Sequence, residues 1–142
     1  MAMKSIAING VDALFDWAEV MGRLGLAGLF LWSAYGKVAH PAATVAYMQA
    51  YGMPAADILI WPAALLEVVG GAMLALGWNA RWVALGLAAY TVATTFVFHA
   101  YWSVPADQVM NEQIHFVSNL AIAGGLLLLF AHGAGRYALD KP

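Results

Sequence analysis

Four stretches of the chain are apolar for long enough to cross a bilayer, and each holds its few polar residues at helical spacing. They run over residues 21–38, 58–77, 81–100 and 111–131, each close to the ~20 residues that a spanning helix needs. In the second, ILIWPAALLEVVGGAMLALG, the one charge is Glu67 near the middle, and Gly70, Gly71 and Leu74 share its helical face. Small residues are how membrane helices come close together, and a carboxylate at bilayer depth costs ~3 kcal/mol even on insertion scales. Glu67 is therefore expected to point into a tightly packed bundle.

The other spans carry polar stripes. Ser33, Lys37 and His40 lie along the far end of the first, Thr91, Thr95 and His99 along the third, and Glu112, His115 and Asn119 along the fourth. Gly70-Gly71 and Gly124-Gly125 read as packing glycines. Pro41 stops the first span, and Ala42–Tyr51 is too short to cross, so it reads as a surface helix closed by Gly52 and Pro54. Before the first span, Asp12, Asp16 and Glu19 fall on one face, which predicts an amphipathic lead-in at the membrane surface or an extension of the first helix. Tyr101–Met110, containing Pro105, reads as a loop. The expected fold is all-α: one domain over residues 1–142, an integral membrane four-helix bundle with a short interfacial helix between spans one and two.

Composition supports the same class. The chain is 63% hydrophobic and 10% charged, against about 25% charged in soluble domains, so too little polar surface remains to face water. A net charge of −2 argues against nucleic acid and against a polybasic lipid-binding patch. With no cysteine, thiolate metal sites, iron–sulfur clusters and dithiol chemistry are excluded on this chain. The N-terminal residues, with one Lys and no apolar run before a small-residue cleavage site, are not expected to be a removable signal peptide.

Lys4, Arg23, Arg81, Arg136 and Lys141 all fall at the end of the bundle that holds the termini, and only Lys37 falls at the other. The positive-inside rule then places both termini of a multi-pass membrane protein in the cytoplasm. Trp17, Trp78 and Trp82 fit the inner interface, and Trp61 and Trp102 the outer one.

Helical rise sets depth. Lys37 stands ~21 Å above Arg23, and Glu67 ~15 Å above Gly77. The difference is within the reach of a lysine side chain, so a Lys37–Glu67 pair is geometrically open if helices one and two are neighbours, and pairing relieves two uncompensated charges. If every stripe faces inward, Glu67, Lys37, Ser33, Thr95, His99, Glu112, His115 and Asn119 converge on a pocket open toward the outer leaflet. Plainer readings stand beside this one. Lys37–Glu67 is also what a register-fixing structural pair looks like, His99 and His115 lie near helix ends where interfacial water reaches, and Thr91 and Thr95 have their own helix carbonyls as partners. Paired histidines are also a haem ligand set, and His40, His99, His115 and Glu112 are metal-ligand types. No motif or spacing supports either group, and no metal is expected. Hydrolytic triads, phosphate loops and dinucleotide fingerprints are absent.

Arg23-Leu24 opening the first span, Gly36-Lys37 closing it, Tyr51-Gly52-Met53-Pro54 before the second, and LLEVVGGAMLALGWNAR over 65–81 together resemble the DoxX family of small bacterial four-helix membrane proteins. His99 is similar to the family's histidine ending span three. Asn119 with LAIAGGLLLL, then HGAGRYALD, is similar to its glycine-rich last span and its Gly-Pro-Gly-Arg-x-x-x-Asp tail, with Ala134 standing where proline is usual. The resemblance implies the four-helix fold and, for some members, a place in quinone-linked or oxidative-stress membrane complexes. The function expected on this basis is a subunit that binds a quinone or similar lipophilic molecule. Glu67 and Lys37 would handle protons, and His99, His115, Asn119, Glu112, Ser33 and Thr95 would line the site. No electron carrier is expected on the chain itself, so a protein partner would supply electrons, and a homo-oligomer is also open. The alternatives are a non-enzymatic accessory or assembly subunit and, last, a small-solute carrier.

Overall fold

The computed structural model describes residues 2–140, with side chains from residue 10 onward. The described residues form helices α1 (Ala2–Ala39), α2 (Pro41–Ala50), α3 (Ala56–Leu76), α4 (Ala80–Phe98) and α5 (Ala106–His132), with a short 3₁₀ turn at Tyr101–Ser103. No strand occurs among them. Three helical segments, Ala56–Leu76, Ala80–Ser103 and Ala106–His132, are long and apolar enough to cross a membrane. The protein is thus an integral membrane protein. The second half of α1 completes the bundle, burying Ala27, Phe30 and Ala34. Arg23 and Lys37 lower the hydropathy of that stretch without removing it from the packing.

One alternative is decided and one boundary differs from the sequence expectation. The acidic lead-in is no separate element: α1 is one helix of 38 residues, or ~57 Å at helical rise, because nothing between Val11 and Lys37 breaks it. Half of the expected loop before the last span is helical as well. Pro105, with φ −57° and ψ 152°, sits at the N-cap, where its missing N–H costs nothing, and Asp107 in the first turn suits the helix dipole.

The bundle is built as two close pairs, α1 against α3 and α4 against α5, joined more sparingly between α3 and α4. Glycine sets the first approach: a Cβ on Gly71 would lie 2.9 Å from Leu31 Cγ and 3.2 Å from the Ala27 carbonyl. Gly70 faces Leu87 of α4 and Gly125 faces Leu26 of α1, whereas Gly124 has no neighbour within 4 Å and is no packing glycine. One core cluster, with Phe30, Leu74, Leu87 and Leu126, fills the half of the bundle near the chain ends. A smaller one, Met48, Ala56 and Ile60, lies under α2 at the opposite end. The space between the two clusters is the pocket described below.

The end of the bundle near the termini is tied by the tail. Helix α3 closes in a Schellman turn, with Trp78 N–H on the Met73 carbonyl and Gly77, at φ 68°, donating to Leu74. Leu139 and Asp140 donate to the Leu76 and Gly77 carbonyls, and the Asp140 carboxylate accepts from Ala80 N–H at 3.1 Å, capping α4. Arg23, 4% exposed, donates to the carbonyls of Ala134 and Tyr137. Arg81 caps α5 through Phe130 and Ala131. Of the cations assigned to this end, the side chains of Lys4 and Lys141 lie outside the described residues.

Candidate functional site: a polar pocket inside the bundle

The pocket encloses about 600 Å³ between α1, α3, α4 and α5, with α2 across its end. Its lining is mostly apolar, with Phe30, Met48, Leu66 and Phe98 prominent. Polar groups enter at two places. At the first, Lys37 Nζ donates to Glu67 Oε1 and Oε2, both at 2.9 Å, and to Ser33 Oγ at 2.8 Å. Tyr90 OH donates to Glu67 Oε1 at 2.9 Å. The Glu67 side chain is 4% exposed and that of Lys37 17%. The short distances and the shared small-residue face of α3 follow from Glu67 lying opposite Ser33 and Lys37, one turn apart on α1.

This cluster is internally satisfied, which decides what it can offer a ligand. The three ammonium hydrogens of Lys37 are all directed to acceptors, and Glu67 receives Lys37 and Tyr90. Ser33 accepts from Lys37, so its own hydroxyl hydrogen remains to donate into the cavity. Asn119 of α5, also at the wall, adds an amide.

The second polar group is His99, whose Nδ1 lies 2.8 Å from Glu112 Oε2. A carboxylate only accepts, so Nδ1 carries the hydrogen, and the remaining Nε2 accepts in the neutral ring and donates in the imidazolium. Tyr51 OH also reaches Glu112, at 3.4 Å. Tyr47 of α2 stacks on Phe98 at 5.7 Å. Partial removal of Tyr47 from water, with Tyr51 and the Glu112 charge beside it, pushes its phenol pKa up.

The polar stripes read from sequence do not all converge. Glu67, Lys37, Ser33, His99 and Asn119 line the pocket. Thr95 does not: it is fully buried and its hydroxyl donates to the Thr91 carbonyl at 2.6 Å. Glu112 stands behind His99 and is no wall residue, and His115 is exposed, its ring stacked on that of His99 at 5.1 Å. His40 sits exposed at the α1–α2 corner, and no cluster of three metal-ligating His, Asp or Glu side chains forms among the described residues. Tyr90 and Tyr47 were not anticipated. Tyr90 precedes the Thr91/Thr95 stripe by one residue, and a polar-tipped aromatic in mid-span is the signal that could have marked it.

A model of the family described as DoxX matches residues 18–100. The chain belongs to the DoxX family. That match takes in Lys37, Glu67, Tyr90 and His99, and stops before α5. Over 128 residues the chain is 34% identical to inner membrane protein YqjF of Escherichia coli strain K12, covering 90% of this chain and 93% of that protein. Inner membrane protein YphA of the same organism is 30% identical over 122 residues, 86% of this chain and 87% of that protein. A surfeit locus protein 4 homolog of Schizosaccharomyces pombe is 30% identical over 79 residues, which is 26% of its length. No solved structure matches. As a DoxX-family membrane protein, the chain offers a bilayer-embedded cavity, a neutralised charge pair at its wall, and free donors beside that pair.

Proposed function

We propose that this DoxX-family protein binds a quinone, or a molecule of similar lipophilic ring chemistry, in the pocket and serves as the ligand-holding subunit of a membrane oxidoreductase assembly. One observation carries the reading: an acid–lysine–tyrosine cluster set into the wall of an otherwise apolar cavity inside a membrane bundle. Intramembrane ionisable residues mark ligand and proton pathways far more often than their rarity would suggest. A quinone needs hydrogen-bond donors for its carbonyls and apolar walls for its ring. Ser33 and Asn119 supply donors on one side, and His99, held at Nδ1 by Glu112, presents its Nε2 on the other.

Reduction of a quinone to a quinol takes up two electrons and two protons. A proton passes to a carbonyl oxygen from the Ser33 hydroxyl, which is replenished by Lys37, with Glu67 and Tyr90 behind it in the same hydrogen-bonded chain. The chain has no cysteine for dithiol or iron–sulfur electron carriers, and the two electrons are assigned to a partner protein bearing a redox group. The cation distribution supports termini on the cytoplasmic side, since Arg23, Arg81 and Arg136 lie at one end of the bundle and Lys37 at the other. The names of the two Escherichia coli relatives support an inner-membrane location.

The test is mass spectrometry of organic extracts from gently purified wild type, Glu67→Gln and Tyr90→Phe. Expected are about one quinone per wild-type chain, loss in Glu67→Gln and partial retention in Tyr90→Phe, since the phenol reinforces one Glu67 oxygen out of two. Absence of quinone from folded wild type refutes the reading in favour of a docking subunit without a ligand.

A further inference from the structure

A second cavity, of about 440 Å³, lies along the seam between α3 and α4. Val69 and Met73 form its α3 side, and Val83, Gly86 and Leu87 its α4 side, with no polar side chain anywhere in the lining. Pro62 and Leu66 line both this groove and the polar pocket. One ridge of α3, two residues one turn apart, is therefore the threshold between them.

The seam is loosely closed compared with the two tight helix pairs. Helix α1 packs along α3 and α4 along α5, whereas α3 and α4 meet more sparingly. They come close at Gly70, where a Cβ would stand 3.0 Å from Leu87. Gly86 has nothing within 4 Å, which leaves the groove floor open. From Pro62 to Met73 the groove follows α3 for ~16 Å.

We infer that this groove holds the hydrocarbon tail of the ligand whose head occupies the polar pocket, with the chain passing over Pro62 and Leu66. The inference rests on the pocket reading above and adds the tail to the ligand's description. The ridge shared with the polar pocket singles out this occupant. Bilayer lipid chains gain little by entering such a groove, because the surrounding tails are as apolar as its leucines. A chain tethered to a bound head arrives at high effective concentration and keeps its packing contacts. The pocket then selects the head and the groove selects for a long apolar chain.

Filling the groove separates the two parts. In Gly86→Leu the added side chain starts in open space, and Leu is a better helix former than Gly. Gly124→Leu, at an equally open glycine on α5, is the control. The probes are a benzoquinone with a ten-carbon chain and the same ring carrying a methyl group. Both are titrated against wild type and variants in lipid nanodiscs, so that partitioning of each probe cancels between proteins. Gly86→Leu is expected to weaken the long-chain probe ~10-fold, about 1.4 kcal/mol, and to leave the methyl probe unchanged. Gly124→Leu should alter neither. Val69→Phe, at an exposed position of the same groove, gives a second filling variant should Gly86→Leu fold poorly. An unchanged long-chain affinity, or equal weakening of both probes, overturns the tail groove and leaves the head pocket standing. Failure of wild type to bind either probe removes the pocket reading and the groove with it.

Discussion

The Lys37–Glu67 pair predicts a specific pattern of stabilities in a double-mutant cycle. In Glu67→Gln the shape is kept, but Lys37 contacts both carboxylate oxygens at 2.9 Å, and one of those positions becomes an NH₂ facing an ammonium. Lys37 is left with Ser33 and a single amide oxygen. Breaking a buried pair on one side costs ~3–5 kcal/mol. The Lys37 side chain, 17% exposed, can shift toward the near end of the bundle, so the expected loss is ~3 kcal/mol. Lys37→Met leaves the nearly sealed carboxylate with Tyr90 alone. Glu67 then has to be buried charged or take up a proton, again at ~3 kcal/mol. In the double variant Lys37→Met/Glu67→Gln neither charge remains, and the amide still accepts from Tyr90. That protein should be no less stable than either single variant, which amounts to a coupling of ~3 kcal/mol. The assay is reversible unfolding in mixed micelles titrated with a denaturing detergent, followed by helicity and by tryptophan fluorescence. Additive losses, near ~6 kcal/mol in the double variant, would show that the two groups do not depend on each other, and the account of the site would fail at its base.

Other outcomes follow from the same geometry. Arg23→Met removes the anchors of the Ala134 and Tyr137 carbonyls and should cost ~2–3 kcal/mol. It should also expose residues 133–140 to protease, while an uncut tail would show that Asp140 and the backbone bonds hold it alone. Gly71→Ala meets the Ala27 carbonyl at 3.2 Å and Leu31 at 2.9 Å. Leu31 can yield, but the carbonyl cannot, so a loss of ~1–3 kcal/mol is expected, against a neutral or slightly stabilising Gly124→Ala, both read by thermal unfolding. Gly77→Ala combines φ 68° with a Cβ placed 2.5 Å from that of Ala138. It should lower the melting temperature and loosen the tail, as read by hydrogen exchange at Leu139 and Asp140. Thr95→Val should leave ligand content unchanged, since Thr95 faces its own helix and not the pocket, while Ser33→Ala should reduce it; equal effects of the two would contradict the placement of the donors.

Much of this protein is legible along the chain. Length and apolarity mark the membrane helices, and Glu67 with Gly70 and Gly71 one turn on marks the packed face of α3. Helical rise brings Lys37 within a side chain's reach of the depth of Glu67. These properties depend on distance along one helix, which the periodicity of the chain determines directly. Rotation of each helix about its axis, and the identity of its neighbours, are different quantities. In a soluble bundle the polar face reveals rotation, but here the lipid-facing side is as apolar as the core, so the pattern carries little angular information. Tyr90 stands out as a polar-tipped aromatic in mid-span, but its meeting with Glu67 could be read only once α4 was placed beside α3. Thr95 shares the stripe of Thr91 and His99, yet its hydroxyl serves its own helix. Glu112 stands behind His99, and Arg23, a candidate interface cation by its charge, is buried under the tail. Composition and periodicity determined that the chain is a membrane bundle with an acid inside it. Tertiary packing alone decided which side chains meet that acid, because such meetings depend on helix rotation and pairing, and neither leaves a local mark on an apolar chain.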